Sequence, residues 1–370
     1  MLIKLLTQLQ CELFPELEEH FLEKLSDTDK DFLKIIELVR PDRFSACLEN
    51  SHGPGRPGYS RLSLLLAFIA KSVYGISTNH LLVYYLKADQ LMRKLCGFDQ
   101  RWEIPSEATF SRAFAEIAQS NIMQTLLEEL VVEQLGGEFI FHISRDSTAI
   151  EAREKPVKKA HDDEAHKPKG KRGRPRKGQE RPKEKTRIEK QQHRNLEENL
   201  NDLPPVCCDR GTKRNAKGHT TSWNGYKLHL DVVDGDIVVS AHLSSASLHD
   251  SQLAIPLSQI TGQRINSCYE LMDSAYDAQP IHEFIKQQGR IPIIDPNPRR
   301  MKIPIVLDDD RKQRFKHRSS VERVNGTLKD RFLGRTIWVR GASKIMCHLM
   351  FGLISMSALQ IYKLLCPATP

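Results

Sequence analysis

The sequence predicts an α+β chain, a mixed five-stranded sheet flanked by helices and preceded by an all-helical region. Up to residue 135 the apolar residues recur at helical spacing. From Phe139 onward, short runs rich in Ile, Val, Phe and Leu alternate in polarity, and helical segments separate the later ones. Between two of these runs stands Asp234-Gly235-Asp236, a strong signal for a hairpin.

The elements follow in order. Leu2, Leu5, Leu6 and Leu9 have helical spacing, as does the amphipathic stretch Asp27 to Leu38, before Gly53-Pro-Gly-Arg-Pro-Gly58 breaks the pattern. Leu62 to Val73 is a strongly apolar helix ended by Gly75-Ile-Ser77, and Thr78 or Asn79 caps the next, His80 to Leu86. Pro105-Ser106 opens another helix with Ser106 as cap, and Asn121 to Leu135 hands over through Gly136-Gly137. Helix, Gly-containing turn and helix suit a reader of the DNA major groove, and equally a plain helical bundle. The strands expected are Phe139 to Asp146, Ser222 to Val233, Ile237 to Leu243, Cys268 to Asp273 and Arg290 to Ile294. Helices are expected from Leu248 through Ile260, with Asp250 as cap, from Gln279 to Gln288, and around Glu322. The boundaries that result are 1–135 for the helical region, 136–154 for the first strand and its flank, 155–215 for an insertion, 216–340 for the rest of the sheet domain and 341–370 for a C-terminal apolar helix.

The chain has 370 residues, 39% of them hydrophobic, enough to bury one large core or two modest ones. Its net charge of +8 favours a polyanionic partner. That charge is concentrated: residues 167–194 hold 13 Lys or Arg against 3 Asp or Glu. Lys, Arg, Glu, Gln and Pro dominate 155–215, which reads as a disordered insertion. At its centre Arg172-Gly173-Arg174-Pro175 resembles an AT-hook, whose two Arg side chains lie along a narrow minor groove; a solvated basic run would contact phosphates without preference. Either reading binds DNA. The eight Cys form no C-x-x-C pair and no signal peptide is evident, which points to a reduced cytoplasmic compartment. Adjacent Cys207-Cys208 with His219 is at most half a zinc site. His348, Ser355, Ser357, Gln360 and Lys363 interrupt the apolar run Ile345 to Cys366, so it reads as a buried or subunit-packing helix and no membrane partner is expected.

Two strand-like runs end in acids, Asp146 and Asp273, and taken alone each would be a turn former or helix cap. A third acid lies where Phe315, Arg318, Glu322 and Lys329 recur at steps of three, four and seven, on one helical face. By themselves these charges fit a salt-bridged surface helix. The full spacing, an aromatic, two residues, Arg, three residues, Glu, six residues, Lys, resembles the Tyr-Arg-Glu-Lys signature of DDE-type transposases of bacterial insertion sequences, with Phe315 in place of Tyr. Asp146-Ser-Thr resembles that family's leading Asp. Asp273-Ser-Ala-Tyr276-Asp277 resembles its Asp-x-Gly-Tyr-Asp block, with Ala275 in place of Gly. The order of blocks from Leu62 to Phe114 is similar to the family's N-terminal domain.

The resemblance implies a ribonuclease H-like fold in which the first and fourth strands are neighbours, with the basic insertion between the first and second. It implies Asp146, Asp273 and Glu322 as catalytic, metal-holding residues, with two Mg²⁺ ions that Mn²⁺ can replace. It places Arg318 and Lys329 on phosphates, and leaves Tyr276 and Phe315 open between base stacking and core. The implied partners are terminal inverted repeats, target DNA and a second copy of the chain. A non-catalytic DNA-binding descendant and a structure-specific nuclease of the same fold stand as alternatives.

Overall fold

The structure, a computed structural model, describes residues 25–44, 58–157, 184–214, 218–297, 307–332 and 336–366. The expected helix at Leu2–Leu9, the Gly/Pro break up to Pro57, and Arg172 and Arg174 of the AT-hook-like core lie outside the described residues.

Among the described residues six helices precede the sheet: α1 (Asp27–Val39), α2 (Arg61–Val73), α3 (Asn79–Ala88), α4 (Gln90–Leu95), α5 (Glu107–Gln119) and α6 (Ile122–Leu135). Side chains of Ser26, Ser60, Thr78, Asp89 and Ser106 accept hydrogen bonds from first-turn N–H groups, as their residue types favour. The short α4 was not evident in the sequence. It exists because Asp89 both ends α3 and caps α4, taking the N–H groups of Leu91 and Met92.

The sheet consists of β1 (Phe139–Glu151), β2 (Asp209–Arg214), β3 (Thr220–Val233), β4 (Ile237–Ser245), β5 (Asn266–Met272) and β6 (Ile291–Ile294). Central β1 runs antiparallel to β3 on one side and parallel to β5 on the other, with β6 parallel beyond β5. β4 pairs with the second half of β3 and β2 with the first half, both antiparallel. This is the expected ribonuclease H-like order with β2 as a sixth strand. Two expectations are corrected here. β1 does not end at Asp146 but runs on to Glu151, because β3 continues to pair with it as far as Gly225. The stretch 184–214 is folded: after α7 (Arg187–Gln191) and α8 (Leu196–Asn201) comes β2. Capping boxes at Thr186/Glu189 and Asn195/Glu198 start the two helices. Fully buried Gln191 and Asn199 then dock them, donating to Gln252 O at 2.9 Å and Gln259 Oε1 at 3.0 Å. Polar burial of this kind leaves no apolar periodicity to read.

The remaining helices among the described residues are α9 (Ala254–Arg264), α10 (Gln279–Gln287), α11 (Asp309–Phe315), α12 (Ser319–Thr327) and α13 (Ala342–Leu365). The expected helix around Glu322 is broken into three pitches. A 3₁₀ turn, Lys316–Arg318, separates α11 from α12, and a π turn, Leu328–Phe332, follows. His249, not Asp250, caps the turn before α9; Asp250 instead pairs with Lys227 at 2.9 Å.

One apolar core joins the helical region to the sheet. At its centre α13 sets Phe351 against Phe68 and Phe114, with ring centroids 5.7 and 6.2 Å apart. α13 is long and apolar enough to cross a membrane, but most of that stretch is buried in the protein. Its buried serines are satisfied within the fold, Ser355 Oγ donating to Phe351 O at 2.7 Å. β4 bulges opposite Asp231/Val232, and Ser357 Oγ accepts from Val238 N at 3.1 Å while donating to Val238 O at 3.3 Å.

Candidate active site

β1 and β5 carry two of the predicted acids to one level. Their parallel register pairs Ser144 with Leu271, so two residues further along Asp146 and Asp273 stand side by side where the pairing ends. Alternation along β1 puts His142, Ser144, Asp146 and Thr148 on the face covered by the 3₁₀ turn and α12, and Arg145 on the other. Asp146 Oδ1 accepts from Ser147 N at 2.8 Å, and Asp273 Oδ1 from Ala275 N at 3.0 Å, fixing both carboxylates. Burial pushes the Asp146 carboxyl up to about 6, and Asp273 adds to the rise against the opposing pull of Arg318.

Glu322 joins through Arg318. The guanidinium lies 3.5 Å from Asp146 Oδ2 and donates to Glu322 Oε1 at 2.7 Å, so one cation bridges the strand acid and the helix acid. The Arg318 Nε–H is buried without a hydrogen-bond partner among the described residues. Lys329, where the helix widens into the π turn, donates to Thr148 Oγ1 at 2.6 Å, one alternate position along β1 from Asp146. Of the expected DNA contacts, Arg318 and Lys329 therefore lie beside the acids. Tyr276 does not fit that role: at 1% exposure, among Ile255, Met272, Ile281 and Phe284, it is core and cannot stack on a base. Phe315 is half-buried. Asp277 closes the loop, accepting from Asn297 N at 2.9 Å and contacting His282 Nε2 at 2.9 Å.

Behind the acids lies a charged network that the sequence did not reveal. Arg145, 1% exposed, makes two 2.7 Å bonds to Asp231 across the β1–β3 ladder and lies 3.0 Å from Glu270 on β5, which also pairs with Arg290. Thr261 and Ser258 donate to the same two carboxylates. Three strands are thus cross-linked directly beneath Asp146. An Arg adjacent to a candidate acid was the available signal, and it reads as a surface residue until the strand's alternation turns it inward.

The donor set at the acids suits a hard divalent cation, since it offers carboxylate oxygens only, and Asp146 is raised by burial and a neighbouring acid. Glu322, 59% exposed, faces Arg318, and the three acids do not form a group with ligand atoms within 4.8 Å of each other. Among the described residues the one group of three with ligand atoms within 4.8 Å of each other is instead His142, Asp234 and His317. Those imidazoles are stacked, with centroids 4.1 Å apart and planes 14° from parallel. One ion cannot lie in both ring planes, so the cluster works as a clasp, with Asp234 Oδ2 3.0 Å from His142 Nδ1 and Oδ1 3.3 Å from His317 Nδ1. It ties the β3–β4 turn to the segment leading into Arg318, and Asp236 repeats the tie from the same turn by a bidentate pair with Arg323 at 2.6 and 2.9 Å. Cys207 and Cys208 belong to no such group among the described residues.

Residues 142–357 match the family described as Transposase DDE domain, and residues 12–116 match the Transposase domain (DUF772). No curated protein and no solved structure matches the chain.

Proposed function

The chain belongs to the DDE-domain transposase family, and from that premise we propose that it cuts and rejoins DNA at the inverted-repeat ends of a bacterial insertion sequence. A transposase function, DNA as partner and dependence on a divalent metal go with the family. The observation that carries the finer reading is the side-by-side placement of Asp146 and Asp273, with Arg318 reaching to them from the helix that bears Glu322.

Asp146, Asp273 and, once turned, Glu322 are the residues that hold the metal. When bound, a pair of Mg²⁺ ions, or Mn²⁺ in their place, supplies activation of a water or DNA 3′-hydroxyl and stabilisation of the leaving oxygen in an in-line displacement. Arg318 serves as counter-ion to the acids in the free protein and as a forked phosphate ligand when DNA arrives. Lys329 contributes a point charge, held by Thr148 at the level of the next strand residue on that face. The Arg145 network keeps β1, β3 and β5 from shearing under this load. In the helical region α3 turns Leu81, Tyr84 and Tyr85 outward, and this exposed face is the reader of the repeat. Two copies of the chain pair two DNA ends in the cytoplasm.

The test is a cleavage assay on labelled DNA carrying the gene's own flanking repeats, with Mg²⁺ or with EDTA, beside Glu322→Gln. Mg²⁺-dependent nicking at the repeat tips, absent in the variant, is the expected result. Binding without any cleavage by the unaltered chain would refute the catalytic reading.

A further inference from the structure

We infer that the two-stranded ribbon formed by β2 and the start of β3 is an arm that grips the phosphates of duplex DNA next to the carboxylates. The inference rests on the transposase reading and adds a further DNA-contacting element to it.

The ribbon leaves the body of the sheet. β1 follows β3 only as far as the Glu151↔Gly225 rung and one further bond from Ala152 N to Asn224 O, so Thr220 to Trp223 pair with β2 alone. At the rise of a strand this part extends roughly 13 Å past the last shared rung. A bare two-stranded ribbon is marginal in water. Here it is stiffened from within: the Trp223 ring covers Gly211, where a Cβ would meet it at 2.4 Å, and Trp223 Nε1 donates to Tyr226 O at 3.2 Å. Arg210 Nη2 donates to Ser222 Oγ at 3.2 Å, and Thr221 Oγ1 to Lys213 O at 3.3 Å.

Nothing apolar is gained by building it. Apart from Gly211 and the half-buried Trp223, the paired residues Arg210, Thr212, Lys213, Thr220, Thr221 and Ser222 are exposed. Cations and hydroxyls on a rigid projecting ribbon are the groups that bind phosphate oxygens, and a two-stranded ribbon is narrow enough for the major groove.

Its location supplies the rest. The base of the ribbon, at Glu151, lies three residues along β1 from Thr148, which holds Lys329, and five from Asp146. The register puts Arg210 on the Asp146 face of the ribbon and Lys213 on the opposite face, so the arm presents a cation on each side next to the carboxylates.

The experiment measures binding of the full chain to a duplex bearing the repeat end, by fluorescence anisotropy across a salt series, for the unaltered protein, Arg210→Ser/Lys213→Ser and Ser222→Glu. Losing two phosphate contacts lowers the slope of log affinity on log salt by about 2, and weakens binding roughly fifty-fold near 0.1 M salt. Hydroxyl-radical protection should disappear at phosphates beside the cleavage point and persist deeper in the repeat. Ser222→Glu, which leaves both cations in place, should weaken binding by repulsion. Unchanged slopes in variants whose circular dichroism matches the unaltered protein would overturn the arm while leaving the transposase reading intact. An unaltered chain that binds no duplex would overturn both.

Discussion

Replacing Asp146 by Asn should make the metal-free protein more stable at neutral pH. Its side chain is 20% exposed, and burial holds its carboxyl at about 6 against an ordinary 3.8. Because the folded value lies above the unfolded one, the folded state binds the proton more tightly. Stability is full below about pH 4, falls as pH rises from there to about 6, and stays reduced above. At about 1.4 kcal/mol for each pH unit of difference, the ionised form costs roughly 3 kcal/mol. Asn removes that cost and can still accept the Ser147 N–H. For a chain of 370 residues the gain corresponds to a rise in Tm of about 2 to 4 °C above pH 6 in EDTA. Thermal and urea unfolding of both proteins from pH 4 to pH 8 would measure it. An Asn variant that melts lower at neutral pH, or that keeps the wild-type slope between pH 4 and 6, would refute the crowded-carboxylate account.

Arg318→Gln removes the cation that bridges Asp146 and Glu322, so Mn²⁺ titrated calorimetrically into the DNA-free protein should bind more tightly, while binding of the repeat duplex weakens; equal or weaker Mn²⁺ affinity would rule out the counter-ion role. Asp231→Ala leaves Arg145 buried beside an incomplete set of acids, and should lower the free energy of unfolding in urea by roughly 3–5 kcal/mol. A neutral effect there would mean that Glu270 alone balances Arg145.

Much of the fold could be read from residue types with local rules. Thr78 and Ser106 start helices where side-chain caps are needed, and Asp234-Gly-Asp turns β3 into β4, with Gly235 and Asp236 at φ 86° and 62°. Asp146 and Asp273 were legible as acids that close strand-like runs, and the parallel register places them side by side, while Glu322 is linked to them through Arg318. What depended on partners distant in sequence was not legible. β2 has almost no strand formers, and exists because Gly211 admits the ring of Trp223. Arg145 looks like a surface residue until Asp231 and Glu270 arrive from other strands. Tyr276 sits in a block expected to touch DNA, yet burial against α9 and α10 claims it for the core.

The continuous core has a mechanical meaning. Phe351 packs on Phe68 and Phe114 of the helical region, and six residues later Ser357 of the same helix holds the bulge of β4. The two halves are therefore the jaws of a caliper cast in one piece, with no joint between them. In the proposed reading, a repeat held at α3 would meet the carboxylates at a distance set when the chain folds, and the cut would be measured from the grip. Base pairs inserted between the gripped sequence and the tip should shift the nick by the same number of base pairs, without a search for the old position.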